Sequence, residues 1–135
     1  MKKHIFLEIA ALITGFILWN SLQNATVSSG FSTRMLAYIH GFLGAWSKDV
    51  LTEYMIRKCA HMTEFALQSF CMGMGLSMDK NGNINWKKVL LFSLCTACID
   101  ESIQYFVPGR DGKVSDVLVD MLGSGVGVAA GKRIR

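Results

Sequence analysis

Ten polar and ionisable side chains fall in three short strings, each inside or against an apolar helical pattern: Arg57, Lys58, His61 and Glu64; Asp100, Glu101 and Gln104; Arg110, Asp116 and Asp120. Burying such groups in hydrocarbon is expensive unless they pair or line a polar cavity. Their spacing puts them on helix faces. Arg57, His61, Glu64 and Gln68 follow steps of four, three and four, which makes one narrow stripe. Asp100 and Gln104 are four apart, with Glu101 adjacent and flanking the same face. Asp116, Asp120, Gly123, Gly127 and Gly131 repeat the helical step, and the glycines form a doubled small-xxx-small pattern that requires a closely packed neighbour.

Together the strings combine excess carboxylate, a histidine able to move protons near neutral pH and guanidinium forks suited to phosphate. The candidate catalytic set is His61 with Glu64 as acid and base, together with Asp100, Glu101 and Asp116. The candidate substrate-binding set is Arg57, Lys58, Gln104, Arg110 and Asp120. Glu64, three residues after His61, could also present a second ligand to a metal held by that histidine. A lone histidine is more often a proton carrier or hydrogen-bond anchor, so no metal ligand is assigned and no cofactor is named. The competing reading is a scaffold in which Arg57, Lys58 and Arg110 neutralise the carboxylates and lock helices into register.

The elements that must position these strings are all helical. Of 135 residues, 51% are hydrophobic and 18% charged, with Pro108 the single proline. A soluble domain carries nearer a quarter charged residues. The apolar residues cluster into blocks at about 5–22, 55–78, 89–106 and 114–131. The expected architecture is therefore an all-α, polytopic membrane bundle of four transmembrane helices in one domain spanning 1–135. The first block resembles a signal peptide, but the chain after Leu22 lacks a convincing small-x-small cleavage site, and it reads as a retained span.

Residues 24–30 read as a loop. From Phe31 to Tyr54 apolar residues recur at three- and four-residue steps, interrupted by Arg34, His40, Lys48, Asp49 and Glu53. This predicts an interfacial amphipathic helical segment after the first span, broken near Gly41–Gly44. A turn is expected at 79–85 around Asn81-Gly82, and another from Val107 to Gly112.

Basic residues sit at segment ends with no aromatic-basic patch for bases, so the net charge of +4 reports topology and excludes nucleic acid. Lys2, Lys3, Lys80, Lys87, Lys88, Lys132, Arg133 and Arg135 share one side. That predicts cytoplasmic termini and a site at the extracytoplasmic face. Cys95 and Cys98 form a C-x-x-C, but with no second pair or nearby histidine they read, like Cys59 and Cys71, as soft interior residues.

The strings Arg57-Lys58-Cys59-Ala60-His61-Met62-Thr63-Glu64-Phe65-Ala66, Asp100-Glu101-Ser102-Ile103-Gln104-Tyr105-Phe106-Val107-Pro108-Gly109-Arg110 and Ser115-Asp116-Val117-Leu118-Val119-Asp120 with Gly123 and Gly127 resemble the signature of the VanZ-like family of small bacterial membrane proteins. The family pattern is K-x-x-H-x-x-E-Y, D-E-x-x-Q-x-F-x-P-x-R and D-x-x-x-[ND]-x-x-G-x-x-x-G. The resemblance covers residues 55 to 131. Phe65 stands where the family commonly has Tyr, and Gln68 and Ser69 replace an apolar and a small residue. The resemblance implies a cell-envelope role in the bacterial cytoplasmic membrane, since the founding member is associated with resistance to the glycopeptide teicoplanin. It implies a phenotype and a compartment, not a reaction.

The leading expectation is an outward-facing charged pocket that binds or modifies an anionic envelope lipid or a lipid-linked cell-wall precursor. The alternative is a non-enzymatic lipid-binding or accessory protein whose charged cluster is a structural ion-pair network. A transporter fits less well, because the polar groups gather at one end rather than at the midplane. The glycine pattern serves an intramolecular contact or a homo-oligomer equally.

Overall fold

A computed structural model describes residues 2–44, 47–76 and 85–134. Among these residues the fold is all-α: α1 Lys2–Ser21, α2 Ala25–Leu43, α3 Ser47–Val50, α4 Glu53–Gly75, α5 Trp86–Phe106 and α6 Val114–Ile134. The expected turn at 79–85 falls almost wholly outside the described residues.

Polar caps set the helix ends. Asn24 accepts from the Val27 N–H at 3.0 Å, Thr52 from Met55 at 3.3 Å and Asn85 from Lys88 at 3.2 Å. The Asn24 cap explains one departure from expectation: residues 25–30, read as loop from their small polar composition, form the first turns of α2. The break expected near Gly41–Gly44 falls at Gly44, whose φ of 85° lies in the left-handed region that glycine tolerates. Gly109, at φ 77°, shapes the turn after α5 in the same way.

Among the described residues three helices are long and apolar enough to cross a membrane, over Lys3–Ser21, Trp86–Phe106 and Val114–Ile134. Their outer faces keep Leu12, Leu91, Leu118, Leu122 and Val126 exposed, the apolar exterior of a multi-pass membrane protein. α4 is as long, but Arg57, Lys58, His61 and Glu64 reduce its apolar character. It lies inside the bundle, packed most extensively against α6 and next against α1.

Glycines make the α4–α6 approach. A Cβ on Gly123 would strike the Met62 backbone, and one on Gly127 the Ala66 backbone. Gly73 and Gly131 both lie against the Trp86 ring, and Gly75 lies against Leu7. The small-residue stripe thus serves a contact within the chain. It also fixes direction: the start of α1, the ends of α4 and α6 and the start of α5 share one end of the bundle, along with Lys3, Lys87, Lys88, Lys132 and Arg133.

The interior is part apolar and part polar. Phe65, Ile17 and Ala97 form the buried core, with Ile13 and Val117 packed on it. Beside it runs a seam of hydroxyls and one amide. Gln68 Nε2 donates to Thr14 Oγ1 at 2.8 Å and to Thr96 Oγ1 at 3.4 Å, while the Ser69 and Ser93 hydroxyls meet at 2.8 Å. The seam joins α1, α4 and α5 by side-chain bonds at a depth where water does not compete.

Candidate functional site

The three sequence strings converge at the end of the bundle opposite the basic cluster. His61 sits two turns into α4, Asp100 lies six residues before the end of α5, and Asp120 lies six residues into α6. At about 1.5 Å per residue, each is roughly 10 Å below that end. Their side chains meet: His61 Nδ1 is 3.5 Å from Asp120 Oδ1 and 3.7 Å from Asp100 Oδ2. Both aspartates are buried. Asp100 is held from two further sides, by the Ser21 hydroxyl of α1 at its Oδ1 and by Gln104 Nε2, which donates to Oδ2 at 2.7 Å. Glu64, one turn deeper on α4, has an Oε2 with no hydrogen-bond partner.

The other charged residues surround this centre without joining it. Lys58 pairs with Asp116 and lies 5.1 Å above the Tyr54 ring. Arg110 Nη1 donates to the main-chain carbonyls of Asn20 and Gln23 at 2.9 and 3.3 Å, tying the turn after α5 to the end of α1. Burial pulls the Arg110 guanidinium below its ordinary range, and the neighbouring Arg57 charge does the same; Asp100, Glu101 and Glu64 oppose both. It remains a cation at neutral pH.

Glu101 departs from expectation. Its Oε2 accepts the Lys113 N–H at 2.8 Å, which engages it with the loop after α5. Adjacent helical residues point about 100° apart, so Asp100 and Glu101 leave α5 in different directions. The scaffold reading is also narrowed. Among the described residues no lysine or arginine forms an ion pair with Glu64, Asp100 or Asp120.

Two cavities share Arg57 and His61. One, of about 240 Å³, lies between α1, α2 and α4; Phe16, Trp19, Val27 and Phe31 form its apolar wall, and Arg57, His61 and Glu64 its polar one. The other, of about 130 Å³, opens at the bundle end, where Arg57, Lys58, Arg110 and Lys113 meet Gln104 and the carboxylates of Asp111 and Asp116.

Each of the three sequence strings therefore delivers one residue to a common centre. A family model described as VanZ/LLP1 matches residues 6–135. The chain belongs to the VanZ/LLP1 family. No curated protein matches it, and neither does any solved structure. The family match includes 23–54, where no motif is recognisable, and α2 from that stretch supplies Val27 and Phe31 to the apolar cavity.

In this VanZ-like chain, Phe65 fills the apolar core against Ile17 and Ala97, and Gln68 belongs to the structural seam. Sequence reasoning missed the contribution of α1: Ser21 reaches Asp100, and the carbonyls of Asn20 and Gln23 hold Arg110. The available signal was Asn20-Ser21, a polar pair closing an apolar span. The four cysteines are free, with Cys71 buried and Cys59, Cys95 and Cys98 exposed.

Proposed function

We propose that this chain is a four-span cell-envelope membrane protein whose charged pocket opens at the extracytoplasmic face and binds or modifies an anionic envelope lipid or lipid-linked precursor. The carrying observation is the shared wall of the two cavities. Arg57 and His61 stand between an aromatic-walled space sized for part of a hydrocarbon chain and a mouth where four cationic side chains outnumber two carboxylates, which leaves a net positive charge for phosphate. An amphiphile with an anionic head matches both halves. α4 serves as the fourth span because its charges face the protein interior and the cavities, where hydrocarbon does not meet them. The gathering of Lys3, Lys87, Lys88, Lys132 and Arg133 supports a cytoplasmic place for their end, and the family's association with teicoplanin resistance supports an envelope role. If the pocket is catalytic, His61 and Glu64 carry the acid and base roles, with Arg57 and Arg110 holding phosphate.

The test is native mass spectrometry of the detergent-purified protein offered phosphatidylglycerol, a polyprenyl phosphate and zwitterionic phosphatidylethanolamine. Retention of the anionic lipids, lost in Arg57→Ala and reduced in Trp19→Ala, is expected. Equal retention of all three lipids, or indifference to both substitutions, refutes the reading. An accessory role without chemistry is the second reading; it predicts the same lipid retention with no turnover of any precursor.

A further inference from the structure

Three donor atoms from three helices face a common centre. His61 Nδ1 of α4, a carboxylate oxygen of Asp100 on α5 and one of Asp120 on α6 all lie within 4.8 Å of one another. The histidine nitrogen is 3.5 and 3.7 Å from the two oxygens. Ligands bonded to one ion at about 2.0–2.2 Å stand roughly 3–3.5 Å apart, so the histidine nitrogen is already within a few tenths of an ångström of that spacing from each oxygen, while the two oxygens lie within 4.8 Å of each other.

A second observation is independent of that geometry. Asp120 is only 1% exposed, yet neither of its carboxylate oxygens has a hydrogen-bond partner, and neither does His61 Nδ1. Buried polar atoms are almost always satisfied, and a buried carboxylate requires a counter-charge. Among the described residues no lysine or arginine pairs with Asp120: Lys58 is committed to Asp116 and Arg110 to the carbonyls of α1, and the basic group nearest to it is His61, at 3.5 Å. The bonds that Asp100 does receive, from Ser21 and Gln104, are of the kind that orient a ligating carboxylate.

We propose that His61, Asp100 and Asp120 bind a divalent first-row transition-metal ion of the zinc, iron or manganese type. The imidazole selects this class over magnesium and calcium, which prefer all-oxygen shells. Two aspartates cancel the charge of a divalent ion with the histidine neutral. Three protein ligands leave at least one coordination position free, and Glu64, whose Oε2 has no hydrogen-bond partner, lies one helical turn from His61 on α4. The inference stands on these donor atoms and does not depend on the lipid reading.

The test uses the full chain purified in detergent, stripped with chelator and titrated separately with Zn²⁺, Mn²⁺, Co²⁺ and Mg²⁺. Bound metal is measured by elemental analysis, coordination by the visible spectrum of Co²⁺, and the unfolding midpoint with and without metal. One transition-metal ion per chain is expected, with no comparable binding of Mg²⁺. His61→Gln and Asp120→Asn should each weaken binding by roughly 100-fold or more, whereas Glu53→Gln, an acidic change away from the site, should not. In chelator, Asp120→Asn should melt at or above the wild-type midpoint, because it removes an unpaired buried charge; added metal should raise only the wild type. Substoichiometric binding, binding indifferent to both substitutions, or an Asp120→Asn protein less stable than wild type in chelator overturns the proposal. Lipid retention without stoichiometric metal overturns it while leaving the lipid reading intact.

Discussion

Gly125 and Gly127 lie two residues apart on α6 and provide a matched pair of substitutions with opposite expected signs. A methyl group added at Gly125 meets no atom within 4 Å, whereas at Gly127 it runs into the Ala66 carbonyl and backbone, which have no side-chain freedom with which to yield. Replacing helical glycine by alanine contributes about 0.5–1 kcal/mol of stability through propensity and lower unfolded-state entropy. Gly125→Ala should gain that amount. Gly127→Ala gains it too, but must push α4 and α6 apart along the most extensive helix contact in the bundle. Overpacking of this kind costs roughly 1–3 kcal/mol, which leaves a net loss of up to about 2.5 kcal/mol, centred near 1, and separates the two variants by about 2 kcal/mol. That difference is roughly a 30-fold change in the ratio of folded to unfolded protein. Equilibrium unfolding in mixed micelles, followed by far-UV circular dichroism, measures it. Shifts of the same sign and size in both variants would refute the assignment of Gly127 to the α4 contact.

Two further expectations concern the surroundings of the site. Arg110→Lys keeps the charge but cannot reproduce the planar fork that reaches the Asn20 and Gln23 carbonyls. It should cost roughly 1–3 kcal/mol and raise amide exchange at the end of α1, which hydrogen-exchange mass spectrometry reads. Gln68→Leu removes a buried amide whose Oε1 has no partner, while Thr14 and Thr96 keep bonds to the Ala10 and Phe92 carbonyls. Stability should change by less than about 1 kcal/mol with lipid retention intact; loss of lipid binding would make Gln68 a site residue after all.

The convergence of the strings was legible because helical periodicity carries both kinds of information at once. The four-three-four step from Asp116 to Gly127 states which side of α6 is small enough to touch a neighbour, and therefore where Asp120 points. His61 follows from the matching stripe on α4. The two neighbours at 100 and 101 were not resolved in this way, because adjacency in sequence says nothing about which of them turns inward; the close passage of Gly112 against the Glu101 and Tyr105 backbone decides that Glu101 meets the loop. The start of α2 was hidden for another reason. Ala25 to Gly30 carries no apolar period, so only the side chain of Asn24 marks the helix there. The neighbours of α1 were not legible either, since an apolar span contains little to say which of its ends meets which partner.

The polar seam has a mechanical corollary. Sliding α4 by one turn, about 5.4 Å, would part Gln68 from Thr14 and Thr96, separate Ser69 from Ser93 and bring side chains where Gly123 and Gly127 now admit bare backbone. None of these losses is repaired by solvent at that depth, so piston-like motion of the central helix is closed to this protein. Among the described residues α2 has no side-chain hydrogen bond to another helix, so its packing on α4 along the apolar cavity, and not a polar lock, sets its place in the bundle.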